Sequence, residues 1–387
     1  MLDGEQGPAV AKSLELLVAL GEVFEAERLV PVESAHISGV SYKNLGDAGL
    51  EFLEEQARLG AKAMIRATLN PAGMDLDLWR DMGVSEAFAQ CQLRVIRAFE
   101  SMGVEPTCTC TPYLVGQIPG RGSQIAWAES SAVAYSNSVL GARTNRESGP
   151  TTLASAVTGL SALYGYRLDE NRQPGAVVEV EAELRTRLDT SALGYLTGRL
   201  LGTTVPYFRG IRNPDIESLK ALGAACATSG GIALYHIEGV TPEASQAANS
   251  LRELERVTVE DSELKDAVAR LTSEADDPVF CLGCPHCSLK ELEEAAAALK
   301  WRKVTEDLWV FTSRGVYGEA ERRGYIDIIR DAGGRVFRDT CMVVAPLKEM
   351  GWSEVATNSL KAAHYASSMG FRTKLETAEM MMEMACR

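Results

Sequence analysis

Residues 277–300 read DPVFCLGCPHCSLKELEEAAAALK, and their pattern indicates the fold class. The apolar run VFCL predicts a strand, the Gly-Cys-Pro triplet predicts a turn, and the sequence from about Ser288 predicts a helix. The alternation then repeats, with a strand over LWVFTS (308–313), a helix over EAERRGYIDIIRDAGG (319–334) and a strand over RVFRDTCMVV (335–344). Strands that alternate with helices indicate βαβ units and a parallel sheet with right-handed crossovers.

The rest of the chain also mixes the two kinds of element. The further predictions are helices over residues 8–28, 45–59, 85–102 and 129–143, a polar loop over 30–43, strands over 61–70 and 104–110, helix-turn-strand over 221–239 and a largely helical tail over 359–384. The predicted fold class is therefore α/β, with several modules and parallel sheets.

Boundaries between modules have to come from this pattern, because the chain has no internal repeat, low-complexity tract or linker-like stretch. The pattern predicts an N-terminal α/β module over residues 1–150, a connecting segment over 151–200, a βαβ module with a parallel sheet over 201–345 and a C-terminal helical segment over 346–387 that returns to the site.

Composition and charge exclude several classes of protein. With 46% hydrophobic and 24% charged residues, the 387-residue chain has the composition of a globular protein. A formal net charge of −14 argues against nucleic-acid binding, which needs a basic face. The sequence also lacks an apolar run of membrane-spanning length and the features of a signal peptide. We therefore expect a soluble, cytoplasmic protein that binds neither nucleic acid nor membrane.

The nine cysteines are an odd number, which fits poorly with a disulfide framework. They lie at positions 91, 108, 110, 226, 281, 284, 287, 341 and 386. The 281–284–287 spacing matches the start of a ferredoxin run but lacks its fourth cysteine, and the second pair of a zinc finger is also missing. Buried thiols, a zinc site, a nucleophile and dispersed iron–sulfur ligands all stay open at this point.

Three cysteine-bearing segments share one property, since 108–110, 281–287 and 341 each lie at or near the end of a predicted strand. Ligands of open parallel sheets bind beyond the carboxyl ends of the strands. Three thiolates that meet there can hold a four-iron cluster with one iron left open, although ordinary packed cysteines explain the same spacing.

Longer motifs connect these segments to a known family. They are SAHISGVSYKNLGDAGLEFLEE (34–55), TLNPAGMDL (68–76), TCTCTPYL (107–114), IAWAESSAVAYSNSVLGARTNRESGP (125–150), GCPH (283–286) and DTCM (339–342). In this order they resemble the aconitase X family, and the similarity covers nearly the whole chain. The resemblance implies an aconitase-like fold, with the cluster site at strand ends between modules, and the activity of a hydro-lyase.

The resemblance further implies a substrate, a cofactor and a partner. The branch that the chain resembles dehydrates (R)-5-phosphomevalonate to trans-anhydromevalonate 5-phosphate in the archaeal mevalonate route to isoprenoids. A second branch dehydrates cis-3-hydroxy-L-proline, and a non-enzymatic metal-binding scaffold is the alternative from a different class. The chain is expected to be a large catalytic subunit that pairs with a small swivelling subunit, on which the main catalytic base would lie.

Matching the motifs residue by residue implies the site. A 4Fe–4S cluster would be held by Cys110, Cys284 and Cys341. The substrate would be bound by Gly39, Val40, Ser41, Asn70, Pro71, Glu129, Ser130 and Lys361, with Arg143 and Arg146 as further candidates for an anion. His36 and His286 would help to protonate the departing hydroxyl, because imidazole titrates near neutral pH. By themselves these residues also fit ordinary turns, a helix cap, an exposed lysine and structural histidines.

Overall fold

The computed structural model describes residues 4–386, and its elements fall into three consecutive groups, each built around its own parallel sheet. We call these groups the N-terminal, middle and C-terminal modules. Besides their α-helices and strands, 3₁₀ helices cover Pro112–Val115, Gly165–Arg167, Asp169–Arg172 and Ala248–Ser250, and a π-helical turn covers Ser136–Leu140. Within residues 4–386, none of the helices is long and apolar enough to cross a membrane.

The N-terminal module carries the loops that reach the candidate site. Its elements are α1 (Pro8–Val23), β1 (Leu29–Pro31), β2 (Ser34–Ile37), α2 (Tyr42–Arg58), β3 (Arg66–Leu69), α3 (Trp79–Met82), α4 (Glu86–Ser101), β4 (Ala126–Trp127), α5 (Ser130–Tyr135), α6 (Gly149–Thr158) and β5 (Leu160–Ala162). A parallel sheet has the order β3-β2-β4, and β1 pairs with β5 antiparallel. Because the three strands are parallel, the residues that follow Ile37, Leu69 and Trp127 leave the sheet at one edge.

The middle module is a four-stranded parallel sheet of order β8-β7-β6-β9. Its elements are β6 (Ala176–Val180), α7 (Arg187–Leu201), β7 (Pro206–Arg209), α8 (Ile216–Ser229), β8 (His236–Ile237), α9 (Ala244–Ala247), β9 (Glu255–Val259) and α10 (Asp261–Arg270). Its core continues into the N-terminal module, since Ala132 and Val133 of α5 belong to the same buried cluster as Leu222 and Cys226 of α8. The two modules are therefore packed against each other through α5 and α8.

The C-terminal module is a five-stranded parallel sheet of order β12-β11-β10-β13-β14. Its elements are β10 (Val279–Cys287), α11 (Leu289–Leu299), β11 (Leu308–Thr312), α12 (Arg314–Arg322), α13 (Tyr325–Ala332), β12 (Arg335–Arg338), β13 (Glu354–Thr357), α14 (Leu360–Ser368), β14 (Arg372–Leu375) and α15 (Ala378–Ala385). The predicted βαβ alternation is confirmed, and Ser288 caps α11 through a reciprocal pair of hydrogen bonds with Glu291.

Both faces of this sheet are buried, which explains the continuous apolar runs of its strands. Trp309 and Phe311 of β11 point into a cluster that includes Trp79 and Phe88 of the N-terminal module. The alternate residues of β11 point into a second cluster, which α11, α13 and α15 cover. The N-terminal module thus forms part of the core of the C-terminal module.

The sheets divide the chain differently from the predicted boundaries at residues 150, 200 and 345. Within the predicted connecting segment 151–200, β5 completes the N-terminal module, while β6 and α7 begin the middle one. The predicted helical segment 346–387 contains β13 and β14, which belong to the C-terminal sheet. Composition does not change at any of these points, so the sequence pattern carries no signal for them.

Several strands lie where a loop or a helix is predicted. Residues 30–43 are expected to form a loop but contain β1 and also β2, whose four residues are all buried at the centre of a sheet and so show no alternation. The predicted helical tail contains β14, a strand at the edge of the sheet. Its charged residues Arg372 and Lys374 alternate with the buried Thr373 and Leu375, so its sequence does not look like that of an apolar strand. In both places the position in the sheet outweighs local composition.

One predicted strand, residues 104–110, is absent, and two predicted helices are interrupted, one of them over 319–334, where Gly324 with a φ of +76° separates α12 from α13. The chain does run beside β3, where Glu105 N–H donates to the Ala67 carbonyl at 2.8 Å and Thr109 N–H donates to the Leu69 carbonyl at 2.9 Å. Pro106 has no N–H to donate and Cys108 has a φ of +42°, so a regular ladder does not form. The predicted helix over 129–143 consists of α5 followed by the π-helical turn.

Candidate active site

The structure brings Cys110, Cys284 and Cys341 together from three separate segments. Cys110 precedes the 3₁₀ helix Pro112–Val115, Cys284 lies within β10, and Cys341 follows β12. All three are buried. After the larger effect of burial, the pKa of each thiol is also raised by a neighbouring one: Cys341 acts on Cys110, Cys110 acts on Cys284, and Cys284 acts on Cys341. The three thiols are therefore close to one another. The predicted convergence of these three cysteines is therefore present, without a regular strand before Cys110.

Gly283 makes the bend in β10 that presents Cys284. The pairing of β10 with β11 shifts register between Leu282 and Cys287, and Gly283 has a φ of +105°. A Cβ atom at this position would lie 2.1 Å from the carbonyl oxygen of Phe311. Only glycine fits both the backbone conformation and the close approach.

Burial and the Lys361 ammonium act in opposite directions on the three thiols, and burial has the larger effect. Burial raises the pKa of Cys110, Cys284 and Cys341 to about 12, because desolvation opposes the thiolate. The Lys361 ammonium acts in the opposite direction on all three. Since iron binds the thiolate, a cation shared by three thiols stabilises the form that a metal centre requires.

The donor set fits an iron–sulfur cluster better than a single ion. In residues 4–386, no three His, Cys, Asp or Glu side chains converge closely enough to surround one metal ion. Cluster ligands stand further apart than the ligands of one ion, because several irons and sulfides lie between them. Three mutually neighbouring buried thiols beside one cation match that requirement.

The loop that follows β2 holds the turn that follows Cys341. Ser41 Oγ donates to the Val344 carbonyl at 2.9 Å, and Lys43 Nζ donates to the Val343 and Ala345 carbonyls at 3.2 and 3.0 Å. Gly39, with a φ of +75°, and the buried Val40 form the bend before these contacts. The predicted residues 39–41 therefore lie against the turn after Cys341.

Asn70, Glu129 and Lys361 form one polar network, although they come from three different segments. Asn70 Nδ2 donates to Glu129 Oε2 at 2.8 Å, and Lys361 Nζ donates to Glu129 Oε1 at 2.6 Å. Asn70 Oδ1 is buried and makes no hydrogen bond of good geometry within residues 4–386, but its side chain lies beside the His36 ring, whose pKa it raises against the larger lowering by burial. A buried polar atom that is so weakly paired is a candidate contact for a ligand.

The charges of this network are fixed. Burial alone would raise the pKa of Glu129, but the Lys361 ammonium and the hydrogen bonds from Lys361, Ser131 and Asn70 outweigh it and lower the pKa to about 2. Burial likewise opposes the charge of Lys361, whereas Glu129 and the thiols of Cys284 and Cys110 raise its pKa. Glu129 is therefore ionised and Lys361 protonated at neutral pH.

Ser130 and Pro71, which are predicted to bind the substrate, lie beside this network but take no part in its hydrogen bonds. Glu129 is the N-cap of α5 and Ser130 its first residue, yet Ser131 rather than Ser130 accepts a hydrogen bond from Lys361 Nζ, at 3.2 Å. Pro71 is buried, and the next residue, Ala72, forms a parallel bridge with Thr340 just before Cys341. Both predicted residues are thus close to the site, and Pro71 shapes the backbone there.

The pKa values of His36 and His286 are lower than the prediction of titration near neutral pH requires. Both rings are wholly buried, and desolvation lowers the pKa of each to about 4, so both are neutral at physiological pH. His36 Nδ1 lies 2.8 Å from Thr68 Oγ1, and its Nε2 has no hydrogen-bond partner within residues 4–386. At neutral pH each ring is therefore the neutral imidazole, with one N–H donor and one acceptor nitrogen, and not the imidazolium acid of the prediction.

Arg143 and Arg146 have their contacts elsewhere. Arg143 donates to the Arg167 carbonyl at 2.9 Å and forms an ion pair with Asp169. Arg146 is exposed, and its guanidinium lies against Gly231 of the middle module. Arg143 is therefore engaged by the protein, whereas anion binding by the exposed Arg146 stays a prediction.

Several residues at the site were not predicted. Thr109 and Thr340 flank the cysteines at 110 and 341, so a search of positions adjacent to ligands would have found them. Lys220 is 3% exposed, although it is charged. It follows Leu219 on the buried side of α8, and a lysine in such an apolar helical pattern is a usable signal.

Comparison with known proteins agrees with the three modules. Sequence models of the first, second and third domains of aconitase X match residues 1–170, 174–269 and 278–387. The protein named phosphomevalonate dehydratase large subunit of Methanothermobacter thermautotrophicus is 52% identical over 95% of this chain and 92% of its own. Its namesake from Methanocaldococcus jannaschii is 48% identical over 95% of this chain and 93% of its own.

A solved structure has the same fold. The crystal structure of Thermococcus kodakaraensis aconitase X, in its holo-form, aligns with a TM-score of 0.93 and 44% sequence identity. The alignment covers 99% of this chain and 97% of that one. The predicted aconitase-like α/β fold is thereby confirmed. With three domain models that span nearly its whole length and relatives of such identity, the chain belongs to the aconitase X family.

Proposed function

We propose that this chain is the large subunit of a phosphomevalonate dehydratase, a cytoplasmic enzyme of isoprenoid biosynthesis. It removes water from (R)-5-phosphomevalonate and forms trans-anhydromevalonate 5-phosphate. Relatives that are 48–52% identical over 95% of the chain carry this name. The observation that carries the proposal is the meeting of three buried thiols from separate segments around the Lys361–Glu129 pair.

Cys110, Cys284 and Cys341 each give one thiolate to a 4Fe–4S cluster. When bound, such a cluster has one iron without a protein thiolate, and that iron supplies a Lewis acid for the substrate hydroxyl. Burial raises the pKa of the three thiols to about 12, and the Lys361 ammonium opposes this rise only in part, so binding of the cluster would itself have to displace the thiol protons. The chain supports this centre from all three modules.

Residues around the centre bind and orient the anionic substrate. Lys361 provides a fixed positive charge for a carboxylate, and Ser130 adds a hydroxyl at the start of α5. Asn70 offers its unpaired Oδ1 to the substrate hydroxyl, and Pro71 fixes the backbone beside it. Residues 39–41 line the side formed by the Cys341 turn.

We assign proton abstraction to a residue of the partner subunit. Dehydration removes a proton from the carbon beside the carboxylate and a hydroxyl from the next carbon. Glu129 stays ionised because Lys361 and Asn70 hold its two oxygens, so it orients those side chains. His36 and His286 remain neutral and orient their neighbours. The base comes from a small swivelling subunit that closes over the site, and the relatives' names as large subunits support such a partner.

The test is co-expression of this chain with its small subunit under anaerobic conditions, followed by parallel assays of two substrates. We expect turnover of (R)-5-phosphomevalonate and none of cis-3-hydroxy-L-proline. Turnover of hydroxyproline alone would contradict the proposed substrate. Stoichiometric zinc without sulfide would instead indicate a metal-binding scaffold. Single serine substitutions of Cys110, Cys284 and Cys341 should abolish both cluster and turnover, whereas serine at the half-buried Cys91 should change neither.

A further inference from the structure

His286 lies at the point where the three modules meet, and it contacts all of them. The residue is 0% exposed, so its ring is shielded from solvent. We propose that His286 is a positioning residue, which fixes the relative placement of Cys110, Cys284 and Cys341 and thereby the stability and electronic properties of the cluster. This inference rests on the cluster in the proposed function and does not depend on the identity of the substrate.

The first contact fixes the segment of Cys341. His286 Nε2 lies 2.8 Å from the carbonyl oxygen of Thr340, the residue directly before Cys341. Because a carbonyl only accepts, Nε2 carries the proton and donates it. The tautomer of the neutral ring is therefore set by this bond, and Nδ1 is left as an acceptor.

The second contact fixes the segment of Cys110. His286 Nδ1 lies 3.1 Å from Thr109 Oγ1, which donates to it. The same hydroxyl accepts the backbone N–H of Thr111 at 3.1 Å, so it is held from both sides of Cys110. The backbone N–H of His286 also donates to Cys110 Sγ at 3.2 Å. One residue thus binds the sulfur itself and the residue before it.

The third contact ties this arrangement to the middle module. Lys220 Nζ of α8 donates to the His286 carbonyl at 2.9 Å and forms an ion pair with Glu291. Cys284, the remaining thiol, lies two residues before His286 on the same interrupted strand. His286 is therefore joined to Cys284 through the backbone of β10 and to the segments of Cys110 and Cys341 by hydrogen bonds. All three cysteine segments are thus held by one residue.

His236 shows that burial alone does not produce such a set of contacts. It is 1% exposed, and its Nε2 also lies 2.8 Å from a backbone carbonyl, that of Arg172. Its Nδ1, however, has no hydrogen-bond partner within residues 4–386. His236 is thus a matched control, since it is a buried histidine with one carbonyl contact and no contact to a cysteine segment.

Groups that orient metal ligands change metal affinity about 10–100-fold when they are removed. The experiment uses the complex with its small subunit, reconstituted anaerobically with iron and sulfide. It measures the rate of iron loss to a chelator and the electron paramagnetic resonance spectrum of the reduced cluster. We expect His286→Ala to lose iron about 10–100-fold faster and to show a shifted spectrum. His286→Gln, whose amide can still donate to the Thr340 carbonyl, should restore part of both.

Two further variants keep the test decisive if His286→Ala does not fold. Thr109→Val removes the hydroxyl that donates to Nδ1 and leaves His286 in place, so it should shift the spectrum in the same direction. His236→Ala should leave the spectrum and the rate of iron loss as in the wild type. An unchanged spectrum and rate of iron loss in His286→Ala, or in Thr109→Val where His286→Ala does not fold, would overturn the positioning role. A wild-type complex that binds no iron and sulfide would instead contradict the proposed cluster.

Discussion

Two buried ion pairs in this molecule differ in what surrounds them. Arg167 and Glu147, in the N-terminal module, lie 2.9 Å apart with side chains 0% and 1% exposed. Lys361 and Glu129, beside the three cysteines, lie 2.6 Å apart with side chains 9% and 13% exposed. Burial and distance are therefore similar, and neither property identifies the functional pair.

The neighbours of the two pairs do distinguish them. The Arg167 guanidinium also donates to Gln124 Oε1, to Ser161 Oγ and to a backbone carbonyl, so that its terminal nitrogens are engaged by the protein. The Lys361 pair instead lies beside three thiols and an asparagine whose Oδ1 is unpaired. Since Arg167 Nε is also buried and has no partner within residues 4–386, an unpaired atom does not by itself distinguish the two pairs. The three neighbouring thiols do, because a charged pair beside candidate metal ligands is arranged for a ligand, whereas a pair held by ordinary polar groups stabilises the fold.

The largest predicted effect is on stability, at the Arg167–Glu147 pair. Arg167→Met leaves the Glu147 carboxylate buried without its cation, which should lower the free energy of unfolding by about 3–5 kcal/mol. Urea titration of the purified chain measures this change. Turnover per folded, cluster-loaded enzyme should stay at the wild-type value. A similar loss of turnover would remove the distinction between the two pairs.

The next largest effect is on catalysis, at the Lys361–Glu129 pair. Lys361→Met removes the charge that serves the thiols and the substrate, so kcat should fall about 10²–10³-fold, which corresponds to about 2.7–4 kcal/mol. Steady-state kinetics of the complex at equal iron content measures it. Lys361→Arg retains the charge and should recover part of the rate. A Met variant within about threefold of wild type would contradict a role for this lysine at the site.

A smaller effect is expected at Asn70. Asn70→Ala removes a hydrogen bond to a charged group together with the unpaired Oδ1, and kcat/KM should fall by about 1.5–3 kcal/mol, or about 10–100-fold. Asn137 is the control, because its side-chain amide donates to two backbone carbonyls and its Oδ1 accepts from Thr144 N–H. Asn137→Ala should lower stability but leave kcat/KM of the folded enzyme unchanged. Equal losses in both variants would contradict a substrate contact at Asn70.

A separate effect is the pH dependence that Glu129 confers on the stability of the metal-free chain. Its pKa is lowered from the ordinary 4.5 to about 2, so its contribution to stability is complete above about pH 4.5 and is lost as the pH falls towards 2. Glu129→Gln should flatten this part of the stability curve. Thermal unfolding between pH 5 and pH 2 tests it, and an unchanged slope in the variant would show that Glu129 is not the titrating group.

The C-terminal sheet was the most predictable part of the fold. Strands such as LWVFT are buried on both faces, so they are apolar throughout, and capped helices separate them. Strands β2 and β14 were missed, since His36 is polar although it lies in a central strand, and Arg372 is charged at an edge. Such positions depend on which strands lie next to each other, and this information is not local.

For the site, family motifs predicted the three cysteines and most of the polar residues, but not their hydrogen bonds. Ser131, rather than the predicted Ser130, reaches Lys361, since the direction of a side chain at a helix start depends on the packed backbone. His286 was predicted as an acid, yet both its nitrogens are engaged by Thr109 and Thr340. Its partners are 54 and 177 residues away in sequence, and no local pattern carries such pairing.

Iron and acid-labile sulfide analysis of the anaerobically purified complex, with the electron paramagnetic resonance spectrum of the reduced protein, tests whether the three converging thiols hold a cluster. The wild-type chain should contain about four iron and four sulfide ions. Serine at Cys341 should abolish the cluster signal, while serine at the half-buried Cys91 should preserve it. Stoichiometric zinc without sulfide, or a cluster that survives serine substitution of Cys110, Cys284 and Cys341 in turn, would contradict this assignment.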